Sequence, residues 1–373
     1  MKPAVSNKPR SARRERVAQL VLLVGLLTAA LTCLPAGAAE RELKASGWMD
    51  VSYSSSSASS TARPLAYNDQ IDDAMLQQLW LRLEQPVPEK GPGWGFRSDS
   101  VVRGADYRFI RARGLFDRQH GQLGFDPIQF YAEGNWPGHG MNLKVGRFLS
   151  PYGVESVAAP ASPMFSHSYT FTYNPTSHLG ALAVKTDGEW AYTLGALAGC
   201  DVFLDDANRA MLFAGVTWTE PVTAAADIVQ VGSILGNSQF DVANNFNNPN
   251  IVDATWTHPI DAKFTAMLEG LVGWQSNVPG VGHASWQGLA GYLTYAATPK
   301  VTPTLRLEVF DDEDGNRTGF AGKYSEATLG LTWKLSERLT VRPEVRFDRN
   351  DSSAPWNGSD HLTTLAADVI YRW

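Results

Sequence analysis

The last nine residues, Leu365-Ala366-Ala367-Asp368-Val369-Ile370-Tyr371-Arg372-Trp373, alternate apolar with polar or small positions. A period of two puts Leu365, Ala367, Val369, Tyr371 and Trp373 on one face of a strand and Ala366, Asp368, Ile370 and Arg372 on the other. The same alternation recurs upstream. Leu305, Leu307 and Val309 oppose Thr304, Arg306 and Glu308, while Val341, Val345 and Phe347 oppose Arg342, Glu344, Arg346 and Asp348. Leu79, Leu81 and Leu83 stand against Gln78, Trp80, Arg82 and Glu84, and Met141, Leu143 and Val145 against Asn142, Lys144 and Gly146.

Trp218, Trp256, Tyr295, Trp333 and Tyr371 are spaced 38, 39, 38 and 38 residues apart. Short polar turns follow the first four, at 219–223, 257–261, 298–300 and 335–338. A period near 38 accommodates two strands of about ten residues, a tight turn and a longer loop, the hairpin repeat of an up-and-down barrel. Strands are expected at 45–53, 76–85, 94–103, 127–134, 141–148, 178–186, 189–199, 210–219, 222–231, 250–258, 262–274, 285–297, 301–310, 324–335, 339–348 and 361–373. The fold class is therefore all-β, a transmembrane antiparallel barrel of about sixteen strands. Fourteen or eighteen stay open, because 222–250 alternates poorly.

Composition fits that reading. Lys2, Lys8, Arg10, Arg13, Arg14 and Arg16 precede an apolar run from Val17 to Leu34 and a small-residue site at Ala36-Gly37-Ala38, the pattern of a cleaved secretory signal over 1–39. The barrel is then 40–373. Pro35 argues against a retained anchor, Arg13-Arg14 is a weak twin-arginine signal, and Thr32 before Cys33 argues against lipidation. Removing that segment leaves 26 basic against 37 acidic residues, which argues against nucleic acid as a partner. Only Cys200 survives cleavage, so the mature chain has no intramolecular disulfide. Beyond the signal no apolar run approaches the roughly 20 residues of a spanning helix, and mean hydropathy is −0.20. Barrel strands set only alternate residues against lipid. A charge facing hydrocarbon is costly, so the polar set points inward and the lumen is expected to be wet.

Expected outer loops are long: 54–74, 104–124, 232–249, 311–322 and 349–360. The longest connection, 149–177, opens with Leu149-Ser150-Pro151-Tyr152-Gly153-Val154-Glu155 and carries Pro160, Pro163 and Pro175. Its apolar Val157, Ala158, Ala159, Met164 and Phe165 precede Ser166-His167-Ser168-Tyr169. An apolar, proline-stiffened loop is costly to leave in water, so docking on the inner wall is expected, with Tyr152, Glu155 and His167 as constriction candidates. A surface lid or partner-binding loop is the alternative.

Five stretches, Gly47-Trp48-Met49-Asp50-Val51-Ser52-Tyr53, Leu79-Trp80-Leu81-Arg82-Leu83-Glu84, Gly146-Arg147-Phe148 with Pro151-Tyr152-Gly153-Val154-Glu155, Ser166-His167-Ser168-Tyr169 and His178-Leu179-Gly180, together resemble the beta-barrel porin-2 family of outer-membrane porins. The resemblance runs through most of the mature chain and is densest between 47 and 219. It implies a barrel and a channel, and carries no binding residues with it.

Arg306 and Glu308, Glu326, and Arg342, Glu344, Arg346 and Asp348 fall on three successive strands with polar faces inward, and are the pore-lining candidates. Mixed charge on a pore wall sets a transverse field. The alternative is a set of wall ion pairs that satisfy one another. His167 and His178 with Ser166 or Ser168 lack a spaced acid or nucleophile elbow, so no enzyme is expected. Asp311-Asp312-Glu313-Asp314-Gly315-Asn316 lacks the twelve-residue calcium-loop pattern and its terminal glutamate, so neither metal nor cofactor is expected. The expected function is passive diffusion of small hydrophilic solutes or ions across the bacterial outer membrane. A non-conducting barrel with an adhesive or structural role is the alternative. Expected partners are outer-membrane lipid, the solutes, the barrel-assembly machinery and two further copies in a homotrimer.

Overall fold

The computed structural model describes residues 42–58, 63–88, 90–112, 124–203, 210–221, 226–236 and 248–373. The expected signal peptide lies outside them. Sixteen strands follow in order: β1 (Lys44–Ser56), β2 (Asp73–Gln85), β3 (Gly93–Arg103), β4 (Asp126–Trp136), β5 (Met141–Leu149), β6 (Ser177–Asp187), β7 (Trp190–Cys200), β8 (Met211–Thr219), β9 (Ile228–Gly236), β10 (Asn250–Pro259), β11 (Phe264–Val278), β12 (Gly282–Tyr295), β13 (Val301–Asp312), β14 (Gly322–Lys334), β15 (Leu339–Asn350) and β16 (His361–Arg372). Two one-turn helices, α1 (Tyr107–Ile110) and α2 (Tyr169–Thr172), lie in the outer loops.

Each strand pairs antiparallel with its chain neighbours, and β1 pairs with β16 from Trp48↔Arg372 to Ser56↔Thr364, which closes the barrel. Closure leaves no edge, so every spanning backbone group finds a partner away from water. At the seam the Trp373 indole lies over Gly47, where a Cβ would come within 2.5 Å of the ring and 2.4 Å of the Trp80 carbonyl. That close approach requires glycine.

The alternation settles which face meets lipid. Leu305, Leu307, Val309, Leu329, Phe347, Leu365 and Val369 are exposed on the outside, whereas Arg306, Glu308, Glu326 and Asp368 are buried. Trp218, Trp256, Tyr295, Trp333 and Tyr371 each stand within three residues of a strand end, beside the short turns. Trp190, stacked on Tyr192 and tilted against Trp218, and Phe264, 4.6 Å from Tyr295, extend the same belt. Amphipathic rings prefer that interface.

Two expectations are corrected. The ninth strand, expected at 222–231, runs Ile228–Gly236, so the outer loop expected from 232 begins later; residues 222–225 lie outside the described ones. The lumen, expected to be wet, is packed where the loop between β5 and β6 enters it. Phe213, Trp286, Phe310 and Tyr324 on the strands and Tyr152, Tyr169 and Tyr173 on the loop form one buried cluster. Inward alternation forbids lipid contact but does not require water.

Candidate functional site

The third outer loop, between β5 and β6, leaves the wall at Leu149 and returns at Ser177. In between it crosses to the opposite wall. Buried backbone without secondary structure needs other partners. The inward charges of β11 to β15 and two amides from β2 and the first outer loop supply them.

The loop can be followed residue by residue. Val154 N–H donates to Glu269 at 2.8 Å. Gln78 donates to the Val157 carbonyl and accepts from Ala159 N–H. One nitrogen of Arg342 donates to the carbonyls of Ala159, Ser162 and Met164 at 2.8–3.0 Å. Glu344 accepts from the N–H groups of Phe165 and Ser166, and Arg306 donates to the Ser166 carbonyl at 2.7 Å. His167 donates its N–H to Asn68, and its carbonyl accepts from Arg346 at 2.5 Å. Glu308 accepts from Tyr169 N–H, Thr170 N–H and the Thr170 hydroxyl at 2.6–2.7 Å, and Tyr169 O–H donates to Asp348. Ser168 caps α2 by accepting from Phe171 N–H, and the helix lies so close to β12 that a Cβ on Gly288 would meet the Thr170 hydroxyl at 2.3 Å.

Register arranges these charges in rows. Glu308, Glu326 and Asp348 stand side by side across β13, β14 and β15, as do Arg306, Thr328 and Arg346. Like charges directly opposite repel, and ion pairs on neighbouring rows relieve them. Arg306 pairs with Glu326 at 3.0 Å, Arg346 with Asp348 at 2.8 Å and Arg342 with Asp368 at 2.5 Å. All seven wall candidates face inward and are at most 8% exposed; Arg306, Arg342, Arg346 and Asp348 are both ion-paired and bonded to the loop, Glu308 and Glu344 anchor the loop, and Glu326 pairs with Arg306.

Of the three loop candidates, Tyr152 and Glu155 line one cavity, and His167 joins them through Glu155. Glu155 accepts from His167 Nδ1 at 2.6 Å, Ser168 N–H at 3.0 Å, Tyr292 O–H at 2.7 Å and Arg306 at 3.1 Å. Burial opposes its charge, yet the Arg306 guanidinium and the His167 and Tyr292 hydrogen bonds outweigh burial and hold the carboxyl down at about 2. Tyr152 stacks on Phe213 with centroids 6.0 Å apart and donates to Asn174. Across the loop Asp106, at the start of α1, accepts from Gln78 at 2.7 Å; burial dominates there and pushes it up to about 7.

Sequence reasoning did not single out Gln78, Asn68, Glu269, Asp253 or Tyr292. A signal existed for two of them. Glu269 and Asp253 are the lone acids of their strands, and a charge cannot face lipid cheaply, so each can only face inward. His178 meets Ser150 at 2.9 Å, but its other ring nitrogen faces the Gly199 carbonyl at 3.3 Å rather than an acid. Asp312 spends one oxygen on Arg317 N–H, Thr318 N–H and the Thr318 hydroxyl, as an internal cap of its loop.

Geometry of this kind, a closed sixteen-strand barrel with a loop tied across its lumen, invites comparison with known families. The family model "Putative beta-barrel porin-2, OmpL-like" matches residues 42–373. The chain belongs to this porin family. Solved structures share the porin's fold at low identity. The anion-selective porin from Comamonas acidovorans superposes with a TM-score of 0.60 at 10% identity, covering 90% of this chain and 100% of its own. Vibrio cholerae OmpT, in its trimer form, gives 0.59 at 10% identity over 89% and 99%. The Acinetobacter baumannii channel DcaP gives 0.57 at 13% identity over 91% and 100%. A search of curated proteins finds no match.

Proposed function

We propose that this porin lets small hydrophilic solutes or ions diffuse passively across the bacterial outer membrane, with the third outer loop setting the width of its lumen. One observation carries the reading: the loop's backbone is hydrogen-bonded across the lumen to Arg306, Glu308, Arg342, Glu344 and Arg346. Those residues thus act as pore-wall charges and loop anchors at once, and Tyr152, Glu155 and His167 as the constriction's own side chains.

Export through a cleaved signal at 1–39, insertion by barrel-assembly machinery and association into a homotrimer belong to the same reading. A groove of about 340 Å³ beside the seam is lined by Leu81, Arg82, Leu83, Phe125 and Trp373 together with the small Ser98 and Ser100. Small polar residues on a lipid-facing band favour contact between copies over contact with acyl chains. Native mass measurement in mild detergent is expected to give three chains per particle, and a monomer would remove that part.

Solute flux tests the function itself. Proteoliposomes holding the folded porin are expected to swell in isotonic small sugars, at rates that fall as the sugar grows. Swelling no faster than in protein-free liposomes would overturn the reading.

A further inference from the structure

Two more outer loops fold inward over the third. The first, between β1 and β2, buries Leu65, Tyr67, Asn68 and Asp69. Tyr67 packs against His167 and Phe171 of the third loop and its hydroxyl lies 3.2 Å from that of Thr176, while the Pro64 carbonyl accepts from Tyr173 at 2.6 Å. The second, between β3 and β4, sets Phe109 of α1 against Tyr67. An ion pair joins these two loops: Arg108 donates to both oxygens of Asp69, at 2.6 and 3.2 Å. A bidentate pair fixes orientation as well as distance. The Arg108 side chain keeps 25% exposure, so dissolved salt screens the pair.

Between the buried Leu65 and Tyr67, Ala66 sits at φ 48° and ψ −87°, a conformation its Cβ disfavours. Such a residue persists only where its surroundings over-determine it, and strain of this kind collects in switch segments. Here the contacts of Tyr67, Asn68 and Asp69 hold it.

Beneath the two loops the wall is polar. Asp50, Ser52 and Ser54 on β1 and Thr364 and Asp368 on β16 face inward and are at most 6% exposed, and Gln77 on β2 donates to the Ser52 hydroxyl at 2.7 Å. The Gln77 side-chain oxygen, the Thr364 hydroxyl and the hydroxyl of Ser162 on the third loop are buried with no hydrogen-bond partner among the described residues. Buried polar atoms of a permanently packed interior are paired, so these call for an account. A cavity of about 10 Å³, room for one water, lies between the three loops and this wall, with Tyr67, Asn68, Asp106 and Ser162 on the loop side and Asp50 and Gln78 on the wall side. Lifting the first two loops would hydrate those atoms.

We propose that the first and second outer loops form a lid, latched by Asp69 and Arg108, over a solute passage that runs down the inward face of β1, β2 and β16 beside the seam. The proposal rests on the channel reading and deepens it, since it names the route and the contact that shuts it. With the latch closed, the polar wall is sealed. With the latch broken, Ala66 relaxes, the loops lift, and the hydroxyls and amides of the wall meet water and small hydrophilic solutes.

Planar-bilayer recording with charge reversal of the latch is the test, the folding of each variant being checked by heat-modifiable migration. Asp69→Arg and Arg108→Asp are each expected to raise single-channel conductance, and the two together, which restore an ion pair of opposite sense, to bring it back to the wild-type level. Wild type alone gives a second readout: its conductance is expected to rise more steeply than the conductivity of the bath as KCl is raised, because salt screens the partly exposed pair. The route is read separately with a thiol. In a Cys200→Ser background, Ser52→Cys is expected to react with an external methanethiosulfonate reagent several-fold faster when Arg108→Asp is also present. Single reversals with wild-type conductance, a double reversal that does not restore it, a wild-type conductance that only follows the bath, or a thiol equally slow in both backgrounds overturns the proposal and leaves the channel reading intact. Wild type and variants silent alike overturn both.

Discussion

Arg306 is fully buried and serves five groups: Glu155 at 3.1 Å, Glu326 at 3.0 Å, the Ser166 carbonyl and hydroxyl at 2.7 and 3.0 Å, and the Thr328 hydroxyl at 3.4 Å. Only a planar guanidinium presents donors in that fork, so lysine is not an equivalent. Arg306→Ala strands two buried carboxylates, and removing one member of such a pair costs about 3–5 kcal/mol. The urea midpoint of the folded barrel is expected to fall accordingly, with Arg306→Lys in between; an unchanged midpoint in the alanine variant would contradict the network. Glu155 adds a pH dependence whose sign follows from its depressed value of about 2. A carboxyl held below its ordinary 4.5 contributes stability above that value and loses it as pH falls from there through about 2. Single-channel conductance is expected to rise as pH falls from about 4.5 toward 2 and the loop loosens. A flat profile over the whole range would place the loop's hold elsewhere. At this scale the sequence showed that Arg306, Glu308, Glu326, Arg342, Glu344, Arg346 and Asp348 point inward, because charge cannot face lipid. It did not show that Glu308, Glu326 and Asp348 share one row, because register is a property of pairing and not of any single strand.

The third outer loop is the element on which function turns. Val157, Ala158, Ala159, Met164 and Phe165 are all buried, so the apolar stretch that would be costly in water has been removed from it. Deleting Val157–Phe165 takes out the segment held by Gln78, Arg342 and Glu344 and is expected to raise single-channel conductance while the barrel still folds. Unchanged conductance in the folded variant would show that the loop does not set the width. Length and composition were enough to pick this loop out. Its route was not legible, since its anchors sit far off in the chain, 79 positions for Gln78 with Val157 and 179 for His167 with Arg346. The ninth strand marks the other limit: Ile228–Gly236 mixes Gly232 and Ser233 into its pattern, and the alternation that located its neighbours fades there.

At the scale of the molecule, the barrel was readable because two independent periods agree. Alternation by two gave the strands, and aromatics near every 38 residues gave the hairpins and the belt they form beside the short turns. What neither period carries is the interior, where Phe213, Trp286, Phe310 and Tyr324 face inward against the loop although apolar residues were expected outside. An interior so filled makes conduction the decisive question. Planar-bilayer recording of the purified, folded, full-length porin answers it most directly: stable, discrete steps of ion current are predicted, and a silent bilayer containing demonstrably intact barrels would contradict the account.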